Sequence, residues 1–317
     1  MEVISSAREN EDPLLDPEWA AFAARQHFTP QLDAAASLRD FGVGLLKRLL
    51  KTSSEEPSDF ILIAAMLRQS VAAYDAWLHD ATAGGTEAAA SHARVLFEAD
   101  LTSQWAFQGD RARWARTLYV ATARRRMKWA RTVIAGTTEH TKFDADWKKK
   151  TGKAYEVRPR IAQAAAEEVT QISKLLASDT YNEINAAFNL AARPHDPPWY
   201  RVGVGGVRSI YAMAHALGRG ADYSLLYSSL SAIAHGSDTM HHFRLGPDGP
   251  IVAPIRSPEF LSESCRSSAT FFLETLRRFL SAFREGEIAV FNRKYLEEWR
   301  PLLHPPKISA AEQLVTL

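Results

Sequence analysis

The stretch FILIAAMLRQSVAAYDAWLHDAT, residues 60–82, decides the fold class. Within it Ile63, Met66, Leu67, Val71, Tyr74, Trp77 and Leu78 recur at intervals of three and four, which turns one face of an α-helix towards a core. Ser58 and Asp59 stand before it as caps, and Gly84-Gly85 follow as its stop. The longest apolar run of the chain, Phe60 to Leu67, is eight residues against the roughly 20 that span a membrane. No membrane partner is expected.

Downstream, the same reading extends helix by helix. A second helix carries Val95, Leu101 and Trp105, and a third runs from about Asp110 to Ile134 on a stripe of Ala112, Ala115, Tyr119, Ala123, Met127, Ala130 and Ile134. After a polar break at 136–138 and a mixed segment, Pro159 opens a helix to about Leu176, and Tyr181 to Leu190 continues the pattern. Residues 193–206 hold three prolines and three glycines, too many for a regular element, and read as a loop of functional length. Helices at roughly 207–217 and 220–235 follow. His242 to Ile255 then reads as two short extended pieces around Gly246-Pro-Asp-Gly-Pro, with Pro254 confining the pair to an edge. A long helix from about Pro258 to Arg284 and a shorter one after Glu287 complete the body. No repeat of fixed period is present. The expected fold is an all-α multi-helix bundle with a small β-hairpin insertion near 242–255. It forms a single helical domain over 17–303, between a loosely held arm (1–16) and a C-terminal tail (304–317).

Composition is that of an ordinary globular chain: 317 residues, 46% hydrophobic and 24% charged. The single cysteine, Cys265, cannot form an internal disulfide and reads as a buried small hydrophobe in a reducing compartment, so a cytoplasmic location is expected. A net charge of +1 gives no global field, but it is unevenly spread. Residues 111–160 hold fifteen Lys+Arg and four acids, a net +11, leaving −10 on the remainder. Arg113, Arg124, Arg125, Lys128 and Arg131 are expected to point away from the apolar stripe of their helix. Their face suits either phosphate contacts, hence RNA or a nucleotide, or pairing with acidic neighbours or a second subunit. Arg116 and Arg126 instead fall near the stripe centre and are expected to face inwards towards an anion.

Two polar rows carry the candidate chemistry. Arg94 and Glu98 lie at i and i+4 on the face of Leu101 and Trp105, where the pair is either a strut or a site in which Arg94 sets the ionisation of a basic Glu98. Tyr223, Tyr227, Ser231 and His235 recur at steps of four beside the apolar Leu226, Leu230 and Ile233, so their hydroxyls and imidazole line the rim of a buried face. His235, at a helix end, is expected either to serve a ligand with a charge that responds to pH near neutrality or simply to bond Ser231 or a neighbouring carbonyl. Glu98 and His235 are the candidate catalytic residues, with Arg94, Arg116, Arg126, Tyr227 and Ser231 binding the ligand. Ser231 lacks the glycine-flanked elbow of a serine hydrolase. The spacing of His235, Asp238, His241 and His242 matches no established metal-ligand pattern, and Gly203, Gly205 and Gly206 lack the Lys-Ser/Thr of a phosphate loop. Neither a metal nor a cofactor is expected.

Arg94-x-x-x-Glu98, Trp199, Arg208-Ser209 and Tyr223-x-x-x-Tyr227-x-x-x-Ser231-x-x-x-His235 together resemble the bacterial domain of unknown function family 5677 over about 74–240. The resemblance implies an intracellular helical protein with a shared polar site and specifies no reaction. The chain also looks loosely like the helical nucleotide-associated domains of toxins and phage defence, whose ribonucleases place an arginine four to six residues ahead of the histidine. Ser228, Ser229 and Leu230 stand there instead, and that catalytic pattern is absent. The leading expectation is a module binding an anionic or RNA-like ligand in a stress or defence setting. Its rivals are a non-catalytic scaffold that forms homo-oligomers and a metal-dependent hydrolase.

Overall fold

A computed structural model describes residues 14–52, 57–192, 195–202, 205–227, 242–246 and 249–304. The chain divides into two compact units, unit 1 (Met1–Trp105 and Met213–Leu317) and unit 2 (Ala106–Ala212).

Unit 1 is built on α1 (Pro17–Thr52), α2 (Pro57–Thr82) and α3 (Thr86–Phe107) from the first part of the chain. Its second part supplies α9 (Gly220–Asp222), α10 (Leu261–Phe283), α11 (Ile288–Lys294) and α12 (Arg300–Leu303). The apolar row that identifies α2 is buried as expected, from Ile63 to Leu78. It meets α10 through aromatic faces: Tyr74 stacks on Phe272 with ring centroids 4.3 Å apart, and Trp77 donates its indole N–H to Ser264 Oγ at 2.9 Å. Burying these rings supplies the main drive to collapse. Gly42 allows α1 to approach α10, because a Cβ there would lie 2.5 Å from the Phe272 ring. Gly84 ends α2 with φ +71°, and any side chain at that position would meet the backbone of Ala20. Cys265 is buried in α10, and burial pushes its thiol up to about 12, an inert rather than a reactive cysteine.

Unit 2 holds α4 (Arg111–Arg131), α5 (Thr138–Thr151), α6 (Pro159–Leu176), α7 (Asn182–Ala191) and a 3₁₀ turn at Trp199–Arg201. The chain enters and leaves it through the ends of α3 and α8 (Ile210–Ala216). Asp110 caps α4 by accepting from the Arg113 N–H, and Thr137 caps α5 in the same way with His140. The core of this unit gathers Val120 and Ala123 of α4, Ile172 and Leu176 of α6, and Ile184 and Phe188 of α7. By contrast α5 buries no residue at all.

The expected fold class is corrected to all-α. Phe243–Gly246 and Gly249–Val252 pair antiparallel, from Phe243↔Val252 to Gly246↔Gly249, but no third strand joins them among the described residues. An isolated two-stranded ribbon has too little surface to bury a face of its own, so no layer of the fold rests on it.

Candidate functional site

The polar cluster of unit 1 begins on α3. Ala89, Ala93, Leu96, Phe97, Asp100 and Leu101 form its buried face, and Arg94 and Glu98 lie half-buried beside it. The chain returns through α9 into a π-helical turn, Tyr223–Tyr227, whose rings of Tyr223 and Tyr227 stack at 4.7 Å. A π turn widens the helix and re-aims its side chains. Here it delivers the Tyr227 hydroxyl to α3.

Three hydrogen bonds close the cluster. Arg94 Nε–H donates to Glu98 Oε1 (3.1 Å), Arg94 Nη2–H donates to Tyr227 Oη (3.2 Å), and Tyr227 O–H donates to the same Glu98 Oε1 (2.8 Å). The guanidinium also lies over the Tyr227 ring, 5.2 Å from its centroid. Burial, and then the bond to the Glu98 carboxylate, push the Tyr227 phenol up to about 12. Burial works against the charge of Arg94, but its bonds to Tyr227 and Glu98 outweigh that and raise its pKa. Two of the three donors, Arg94 Nε and Tyr227 Oη, converge on Oε1. Glu98 Oε2 has no hydrogen-bond partner among the described residues. Ser231 and His235, the other half of the expected site, lie outside the described residues.

A second cluster, not foreseen from the sequence, lies two residues further along α3. Asp100 is fully buried and takes two guanidinium groups. Arg219 reaches Oδ2, while Arg278 Nη1–H donates to Oδ1 (2.8 Å) and to Ser103 Oγ (2.8 Å). Arg219 also donates to Asp222 and sits over the rings of Phe97 and Phe271. The bonds to Asp100 hold the Arg219 charge against the opposing effect of burial. The signal in the sequence is phase: Asp100 stands seven residues after Ala93 and three after Phe97, on the buried row of α3.

In unit 2 the expected orientations of the α4 arginines are partly reversed. Arg124, expected to face outwards, is only 13% exposed: it grips Asp196 with two bonds (3.0 and 2.7 Å) and also donates to Asn185 and Asn189. Arg126, expected to face inwards, is exposed and pairs with Glu168 on α6 at 2.6 Å. Arg116 is half-buried and has partners. The reason is a rotation of the packed face. It centres on Val120 and Ala123 rather than on Tyr119 and Met127, and Arg124 stands one turn after Val120.

The other cations sort by whether they find an acid. Arg113 pairs with Glu183, and Arg131 lies 3.9 Å from Glu139. Arg125, Lys128, Lys142, Lys148, Lys149, Lys150, Lys153, Arg158 and Arg160 are exposed and have no ion-pair partner among the described residues. Beyond the lysines at the end of α5, Tyr155 packs T-shaped on Phe143 (4.8 Å) and Trp147 (5.3 Å), which folds the following segment back on the helix. Over the whole unit, 19 Lys+Arg stand against 10 Asp+Glu, a net +9, while unit 1 has 19 against 27, a net −8.

Among the described residues no group of three or more His, Cys, Asp and Glu could hold a metal ion, and no helix is long and apolar enough to cross a membrane. Of the histidine-rich segment, 235–241 lies outside the described residues, and His242 Nδ1 stands 3.7 Å from Glu87.

Fold and site together define an all-helical protein in which an acidic unit carries an Arg–Glu–Tyr cluster and a second unit is basic. The chain belongs to the family of unknown function DUF5677, whose family model matches residues 60–250, a span that includes Arg94, Glu98, Tyr227 and the whole basic face of α4 and α5. No curated protein and no solved structure matches it.

Proposed function

We propose that the protein binds RNA, with the phosphate chain lying along the exposed basic surface of α4 and α5. The observation that carries this reading is the set of nine exposed cations left without an acidic partner among the described residues, six on α4 and α5 and three, Lys153, Arg158 and Arg160, just after them. Exposed like charges left without acids form a positive surface that a polyanion can neutralise. A phosphate polymer does so and releases condensed counterions, a drive that needs no sequence motif. The Glu98 cluster, extended in sequence by Ser231 and His235, is proposed as a separate polar site in which Glu98 Oε2 accepts a proton or a hydrogen bond from the ligand. Arg94 and Tyr227 hold that carboxylate in place.

The test is salt dependence. Binding of labelled single-stranded RNA to the full chain should weaken steeply with salt, and the triple change Lys148→Ala, Lys149→Ala, Lys150→Ala should reduce the slope of log K against log salt by about 2, at roughly 0.7 for each phosphate no longer neutralised. RNA binding that is absent, or a slope unchanged by the triple substitution, would remove the proposal.

A further inference from the structure

Resting on that reading, we infer that the nucleic acid held by unit 2 is single-stranded, and that Trp129 is the residue on which one of its bases stacks. Trp129 stands near the end of α4 and is 71% exposed. Its indole makes no ring, cation–π or N–H contact among the described residues. It contributes nothing to the core of unit 2, which α4 reaches through Val120 and Ala123 on its other side. One exposed apolar residue is ordinary on a protein surface, but the surroundings of this one are not. Arg125 lies one helical turn before it on the same row, Lys128 precedes it directly, and both are exposed cations without an acidic partner among the described residues. Neighbours one turn apart have Cβ atoms about 6 Å from each other, so a base lying on the indole has its own phosphate within reach of the Arg125 guanidinium.

This arrangement selects strand state. A duplex keeps the faces of its bases inside its own stack and offers only phosphates, sugars and groove edges, whereas a single strand has faces to give. A second copy of this chain is the rival occupant. The charge around the indole argues against it, because a like copy would bring the same unpaired cations up to Arg125 and Lys128. Trp147, also exposed, is unsuited to the role because Phe143 and Tyr155 already occupy its ring.

The experiment compares wild type, Trp129→Ala and Trp129→Phe in the full chain, with fluorescein-labelled single-stranded RNA and a duplex of the same sequence, each at several salt concentrations. Trp129→Ala should weaken single-strand binding about tenfold, with the salt slope unchanged, and leave duplex binding as it was. Trp129→Phe, which keeps an aromatic face, should recover most of the loss. Equal single-strand affinity in all three proteins overturns the inference, as does an equal loss for single strand and duplex. A change of molar mass by light scattering with RNA affinity intact would overturn it in favour of self-association. If the wild type binds neither RNA, the proposed function itself fails. If it binds both with a steep salt slope and Trp129→Ala changes nothing, only the stacking role fails.

Discussion

Unit 1 and unit 2 treat charge in opposite ways. In unit 1 the informative charges are answered within the unit: the buried Asp100 is enclosed by Arg219 and Arg278, and the half-buried Glu98 is held by Arg94 and Tyr227. In unit 2 Arg124 is answered in that manner, while a run of cations on α4 and α5 faces solvent without acids among the described residues. A buried charge without its partner is costly, so the Asp100 cluster speaks of structure. An exposed unanswered charge costs the fold little, so the run of cations in unit 2 is free to serve a ligand. Position on a helix therefore says less about a charged residue than whether its countercharge comes from the same chain.

Stability measurements separate the two arrangements. The largest effect belongs to Asp100→Asn, which leaves two guanidinium groups facing a neutral amide. About 3–5 kcal/mol should be lost in denaturant unfolding, and a loss below about 1 kcal/mol would deny the cluster its structural role. Arg124→Ala should follow at about 2 kcal/mol, since hydrogen bonds to charged partners contribute about 1.5–3 kcal/mol. Tyr227→Phe should lower stability by about 1 kcal/mol at neutral pH. It also carries a pH signature. The native phenol titrates at about 12 against 10.0 for an ordinary tyrosine, so below pH 10 both folded and unfolded states keep the proton and the stabilisation is complete. Between pH 10 and about 12 the unfolded chain releases the proton first, and stability should fall over that window in wild type but not through this group in Tyr227→Phe, as followed by thermal melts against pH. The smallest effect is expected in unit 2, where Lys148→Ala, Lys149→Ala and Lys150→Ala should each shift stability by no more than about 0.5 kcal/mol. A larger loss at these positions would mean that the lysines serve the fold after all.

Legibility in the sequence follows the physics of burial. The α2 stripe and the α10 aromatics are large side chains at helical spacing, and the structure buries them as read. The first helix, α1, buries leucines only from its middle onwards, Leu32, Leu38, Leu45 and Leu49, while its first part buries small residues, Ala20, Ala23 and Ala24, with Pro30 inside the element. A stripe of alanines has little contrast against its surroundings. The fifth, α5, reads as a mixed segment because it buries nothing and so has no apolar period to detect. Among site residues, the Arg94–Glu98 pairing is legible from its i, i+4 spacing. Its closure by Tyr227 depends on a π turn that no period in the sequence announces. Asp100 is silent in the sequence because a carboxylate in core phase reads as a defect in a stripe until its two arginines, 119 and 178 residues further along, are seen beside it.

Where a phosphate polymer touches the protein decides the matter, and lysine reactivity reads that directly. Labelling the folded chain with an amine-reactive ester, with and without single-stranded RNA at low salt, should show Lys128, Lys142, Lys148, Lys149, Lys150 and Lys153 protected by RNA. The exposed Lys47 and Lys51 of α1 should react as before. Protection confined to α1, or equal labelling of every lysine in both samples, would contradict the assignment of ligand binding to the basic unit.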